Sequence, residues 1–213
     1  MIKSILRPIS KVLNRLAISF TKESLLAGFF FFLVLCSWYI LRPVRNEMAV
    51  QNAEILPYLL GIGALVMLFL NPVYSWLASR KNLRGVLMGC YSFFILNLLG
   101  FIGLWQFFDL SSSLLVSQIF YIWCNVYSFF VVSIFWVVII NLFRGDSAVN
   151  VFGVIAAGGS LGAYLGSEIS KQLASTFNES GIIFFTMIAI VFLLLALLAG
   201  LGLMNRFREL KGI

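Results

Sequence analysis

Long, unbroken apolar runs dominate the chain, at Ser24 to Leu41, Ile55 to Leu77, Val86 to Phe107, Leu114 to Ile140, Val151 to Leu173 and Ile182 to Met204. A hydrocarbon core of about 30 Å takes roughly 20 helical residues to cross, so the pattern predicts six transmembrane helices. Stretches such as Phe29-Phe30-Phe31-Phe32 and Val191 to Leu198 are continuously apolar, which speaks against the alternation of a lipid-embedded barrel. The connections are short, with no linker or low-complexity run. Ahead of the first span the pattern differs: Ile2, Ile5, Leu6, Ile9, Val12, Leu13 and Leu16 recur at helical spacing opposite Lys3, Arg7, Lys11 and Arg15. This predicts a basic amphipathic helix on the membrane surface, broken near Pro8. An organellar transit peptide is the other reading, because Glu23 is the first acidic residue. The expected organisation is residues 1–23 as a cytoplasmic amphipathic helix, 24–204 as a six-helix transmembrane domain and 205–213 as a cytoplasmic tail.

Composition agrees with the hydropathy pattern. Of 213 residues 62% are apolar and 11% charged, too little polar surface to keep such a domain in water. Charge then adds orientation. Lys3, Arg7, Lys11, Arg15 and Lys22 precede the first span, Arg80, Lys81 and Arg84 fill the second connection, Arg144 the fourth, and Arg206, Arg208 and Lys211 the tail. These fall on one side of a six-span chain, leaving only Arg42, Arg45 and Lys171 on the other. The positive-inside rule therefore places both termini in the cytoplasm, as expected of a multi-pass protein of the inner (cytoplasmic) membrane. The net charge of +7 is a topology signal, and nucleic acid is not an expected partner. Trp38, Tyr39, Tyr58, Trp105, Tyr74, Trp76 and Tyr91 near span ends suggest aromatic belts. Cys36, Cys90 and Cys124 lack ligand spacing and histidine is absent, so neither metal, haem nor disulfide framework is expected. Without paired mid-membrane acids or a metal set, an enzyme is not expected either.

Three constellations remain as candidates. On the fourth span, about 100° per residue brings Gln118, Tyr121, Asn125, Ser128 and Trp136 into one sector, with Val132 among them. Such a stripe either lines a cavity or ties the helix to a neighbour by hydrogen bonds. On the fifth span, Gly158, Gly162 and Gly166 recur every fourth position and predict close helix packing; no Lys-Ser or Lys-Thr follows, so a phosphate loop is not indicated. At the end of the first span stand Arg42, Arg45, Asn46 and Glu47, with Glu54 before the second. Guanidiniums suit phosphate or carboxylate, and pairing with Glu47 would hold them poised. The alternative has them snorkelling to the interface as anchors.

Four segments carry a family likeness: Tyr39-Ile40-Leu41-Arg42-Pro43-Val44-Arg45-Asn46-Glu47, Ala53-Glu54-Ile55-Leu56-Pro57, the run from Phe120-Tyr121-Ile122-Trp123 to Phe135-Trp136, and Phe152-Gly153 to Gly162. Together they resemble the amino-terminal half of the ATP/ADP translocase family, the nucleotide transporters of plastids and intracellular bacteria and their bacterial relatives. The resemblance implies a major-facilitator-like half bundle of three plus three helices. Arg45 falls where the nucleotide carriers have a basic residue, and Glu54 in their Ala-Glu-x-x-Pro element. The turn Arg80-Lys81-Asn82-Leu83-Arg84 resembles the basic second-to-third connection of facilitators, with Ser79 where their acidic residue is common. The chain departs from the nucleotide carriers at Asn46 and Asn125, where they usually have acids. Those departures point to a bacterial subgroup with another solute.

The family usually has about twelve spans, so a second six-helix half is expected from another copy, from a separate chain, or from sequence beyond a truncation. The expected function is that of a half-length secondary transporter for an anionic or phosphorylated solute, nucleotides included. A non-transporting assembly or regulatory subunit, or the remnant of a transporter, is the alternative.

Overall fold

A computed structural model of the chain describes residues 21–107, 113–143, 148–176 and 181–211. The amphipathic segment expected over 1–23 lies outside the described residues apart from Thr21, Lys22 and Glu23, and Arg144 lies outside them too. Six long helices make up the described chain: α1 Lys22–Gln51, α2 Leu56–Ala78, α3 Leu83–Phe107, α4 Leu114–Leu142, α5 Ala148–Thr176 and α6 Gly181–Lys211, with a 3-10 turn at Ala53–Ile55 before α2. The protein is all-α, and α1, α2, α3, α4 and α6 are each long and apolar enough to cross a membrane. Helix α5 is as long, at 29 residues, but its glycines, serines, Glu168 and Lys171 keep it out of that group.

Helix α1 extends beyond its apolar run. Its apolar run stops at Leu41, yet the helix continues ten residues further, to Gln51, straight through Pro43. Proline has no N–H for the carbonyl four residues back, here that of Tyr39. The hydroxyl of Ser170 on α5 donates to that orphaned oxygen at 3.2 Å, so a neighbouring helix supplies the missing bond. Helix α6 likewise runs past Met204 to Lys211.

Helix α1 is the hub, packed most extensively on α5, then on α6 and α4. Against α5 it runs parallel, because Gly28, Phe32 and Cys36 meet Gly158, Gly162 and Gly166 in turn. A Cβ on Gly158 or Gly162 would overlap the carbonyl oxygen of Gly28 or Phe32, and one on Gly166 would come within 3.0 Å of the Cys36 carbonyl. In lipid, apolar burial offers little drive for helix association, so close backbone contact of this kind carries more of the load. Against α6 it runs antiparallel, from the Glu23–Arg206 ion pair at 2.8 Å to Ser37, which donates to the Ala189 carbonyl at 2.8 Å. The ion pair, with Arg206 43% exposed, contributes at most about 1 kcal/mol but shows that Lys22 and Lys211 share one end of the bundle. Lys22, Arg80, Lys81, Arg84, Arg206 and Arg208 gather at that end; Arg42, Arg45 and Lys171 lie at the other.

Helices α3 and α4 meet along an aromatic column. Phe101 and Trp105 stand against Phe120 at centroid distances of 4.9 and 5.0 Å, and Trp123 stacks on Tyr127 at 5.4 Å. Trp105 is buried in this column, and buried Tyr91 donates to the Val131 carbonyl at 3.0 Å, so both belong to the core instead of a lipid-facing belt. Helix α2 stands apart, touching chiefly α4. Only Leu59 and Gly63 of α2 are buried.

Asn52 closes α1 and ties it to α4. Its amide donates to the Met48 carbonyl at 2.9 Å and to Ser117 at 2.7 Å, while its oxygen accepts from Gln118 at 2.9 Å. Asn52→Leu should therefore cost about 1–3 kcal/mol, the penalty of stranding buried polar partners. Denaturant unfolding in detergent measures this, and adding Gln118→Leu should cost little more. Additive losses from the two substitutions would contradict a shared bond.

Candidate functional site

The extension of α1 past Leu41 brings Arg45 inside the bundle instead of leaving it at a helix end. Arg45 follows Trp38 by two helical turns, so both side chains occupy one face of α1, and that face meets α4. On α4, Tyr121 and Asn125 are four residues apart and share a face for the same reason. The result is a partly buried guanidinium between two rings, 5.5 Å from the Trp38 centroid and 5.9 Å from that of Tyr121. Its Nη1 donates to Asn125 Oδ1 at 3.2 Å and its Nη2 to Asn46 Oδ1 at 2.9 Å. Its Nε is buried without a hydrogen-bond partner. Helix α2 closes the approach at Gly63, where a Cβ would sit 4.0 Å from the Asn125 amide nitrogen.

Every acceptor around Arg45 is neutral. The pairing with Glu47 that the sequence invites does not form: Glu47 is exposed, and the one ion pair among the described residues is Glu23–Arg206. Arg45 thus keeps its full charge in a partly desolvated place. At an effective dielectric of about 20, a unit anion 4 Å away gains roughly 4 kcal/mol. That exceeds the roughly 0.5–2 kcal/mol of a cation–π contact and the roughly 1.5–3 kcal/mol of a hydrogen bond to a charged group. An entering phosphate or carboxylate can therefore replace one of the two asparagines on the guanidinium, while the rings hold its plane.

Other residues expected beside Arg45 are dispersed. Arg42 turns toward α5, lying over the Tyr39 ring at 5.5 Å in a cleft with Glu47 and Lys171, so the two arginines do not form one clamp. Glu54 is exposed on the 3-10 turn. Gln118 is engaged by Asn52, which is the interhelical tie and not a cavity wall. Ser128 donates to the Asn125 carbonyl within its own helix at 2.9 Å. Trp136 packs on Phe31 at 5.4 Å and Phe152 at 6.0 Å, nearer the opposite end of α4. Of the polar stripe on α4, Tyr121 and Asn125 are the members that meet Arg45. Trp38, expected in an aromatic belt, instead flanks Arg45, and Asn52 is not among the residues the sequence singles out. The seven-residue offset of Trp38 from Arg45 is a usable signal, whereas a lone asparagine between two spans carries none.

Comparison of the chain with family models, curated proteins and solved structures finds no match. The likeness to nucleotide translocases rests on the sequence segments alone.

Proposed function

We propose that the chain forms one six-helix half of a secondary transporter of the facilitator type, similar to the amino-terminal half of the ATP/ADP translocases, for an anionic or phosphorylated solute. One observation carries this reading: Arg45 is a partly buried cation with only neutral partners and an uncommitted Nε. Such a charge costs stability when the site is empty and repays it when an anion arrives. Uptake by proteoliposomes, across a panel of nucleotides, phosphorylated sugars and organic anions, tests it. Uptake equal to that of empty liposomes for the whole panel rejects it.

Lys22 and Lys211 lie on the cytoplasmic side of the inner membrane, and the six-helix unit works beside a second six-helix half, supplied by another copy, by a separate chain or by further sequence of the same protein. Rocking of one half against the other alternates access to the solute. Helix α2 supports this arrangement, since Tyr58, Leu65, Leu68 and Phe69 are 56–76% exposed on a helix held by little but α4. Because Cys36, Cys90 and Cys124 are all buried, an added surface thiol reports contacts cleanly. Oxidative cross-linking in native membranes should join Leu68→Cys to a second chain, while Leu96→Cys on α3 stays monomeric. Equal cross-linking at both positions, or none at Leu68→Cys, removes α2 as the contact face.

A further inference from the structure

A second polar site lies beside α1, on the α5 side. Arg42, Asn46 and Glu47 of α1 face Ser167, Ser170 and Lys171 of α5 across a cleft of about 410 Å³. It opens where the apolar run of α1 ends, so it stands at the level where hydrocarbon gives way to headgroups. Below it the same stripe of α1 carries Leu35, Phe32 and Phe29, of which Phe29 is 51% exposed.

Donors and acceptors are sorted within the cleft. Arg42 and Lys171 form no ion pair among the described residues, although Glu47 shares their cleft. Asn46 has its oxygen engaged by Arg45, leaving its NH₂ as a donor. The serines are the reverse case. Ser167 gives its proton to the Ala163 carbonyl at 2.8 Å, and Ser170 to the Gly166 and Tyr39 carbonyls. Each hydroxyl is thereby left with lone pairs alone to offer. One set of groups can only donate to an anion; Glu47 with the serines can only accept from a cation.

We infer that this cleft binds a phosphate ester carrying a primary ammonium, the phosphate on Arg42, Lys171 and Asn46 and the ammonium on Glu47 and Ser167. A carboxylate left unpaired beside two cations is of no use to a simple anion, and a zwitterion uses all three. Two sources offer this chemistry, an ethanolamine phospholipid of the bilayer and a free phosphorylated amine. The site shares only Asn46 with Arg45 and does not rest on the transport reading.

The test uses the purified full chain in detergent and native mass spectrometry. The probes are short-chain phosphatidylethanolamine, short-chain phosphatidylglycerol, free phosphoethanolamine and inorganic phosphate. An ammonium-bearing probe should bind at least about tenfold more tightly than its partner without the ammonium, a difference of about 1.4 kcal/mol. Retention of the lipid alone assigns the bilayer as the source; equal binding of the free ester assigns solution. Lys171→Gln should weaken binding about tenfold, and Glu47→Gln should erase the preference for the ammonium. Both side chains are exposed, so the fold is expected to survive, and size-exclusion profiles verify it. Arg45→Gln, which frees only the Asn46 oxygen, should weaken binding less than Lys171→Gln does. No preference between paired probes, or wild-type binding by both cleft variants, overturns the inference.

Discussion

Gly162→Leu is expected to leave almost no folded protein, while Gly202→Leu, one helix away, folds like wild type. A Cβ at Gly162 would overlap the Phe32 carbonyl, whereas one at Gly202 has nothing within 4 Å. Overpacked cores usually relax by rotating a side chain, at about 1–3 kcal/mol. Here a Cβ, whose position no rotamer can change, meets backbone, and relief comes only by parting α1 from α5. Parting them also breaks the Cys36 thiol's bond to the Gly162 carbonyl at 3.2 Å and the Ser170 bond that replaces the one Pro43 cannot make. The combined loss should exceed about 4 kcal/mol, a large fraction of the roughly 5–15 kcal/mol that holds a typical domain folded. The yield of monodisperse protein on detergent size exclusion, with denaturant unfolding of whatever survives, measures it. Stability within about 0.5 kcal/mol of wild type would show that the α1–α5 contact is looser than the glycines indicate.

Arg45→Gln should lower solute uptake on the order of 100-fold, because removing one member of a desolvated charge pair costs roughly 2–5 kcal/mol. Arg45→Lys keeps the charge but loses the planar fork and its fit between Trp38 and Tyr121, so it should recover only part of the activity. Asn125→Asp provides the sharper control. Its oxygen already accepts from Arg45 at 3.2 Å, and a carboxylate there would pair the guanidinium internally and lower uptake without disturbing packing. Wild-type uptake in either Arg45→Gln or Asn125→Asp would mean that the free charge of Arg45 is not what draws the solute.

How far each feature was readable depends on the range of the interaction behind it. Span number and placement depend on runs of side chains meeting a solvent about 30 Å thick, and those runs are local. The glycines of α5 were legible for a similar reason, since a small residue every fourth position marks one face of any helix. The end of α1 was not legible. Arg42-Pro43 has the look of a terminus, but Ser170, over a hundred positions away, sustains the helix through it. The candidate site was half legible: guanidiniums near the end of a span announce anion chemistry, yet their spacing does not reveal which neighbour each will face. Arg42 and Arg45 are three residues apart on one helix and are claimed by α5 and α4 respectively.

The amino-acid sequence by itself determined that this is an all-helical protein built from membrane-length apolar segments, with an uneven distribution of charge between its two ends. Hydrophobicity and helical periodicity act along the chain and need no partner to be read. Only the tertiary structure decided that Glu47 leaves Arg45 unpaired, that Gln118 is a tie to Asn52, and that Lys171 joins Arg42 in a separate cleft. Charge and hydrogen-bond partners are chosen across helix interfaces, by the angle at which each helix meets the next, and no local pattern records that angle.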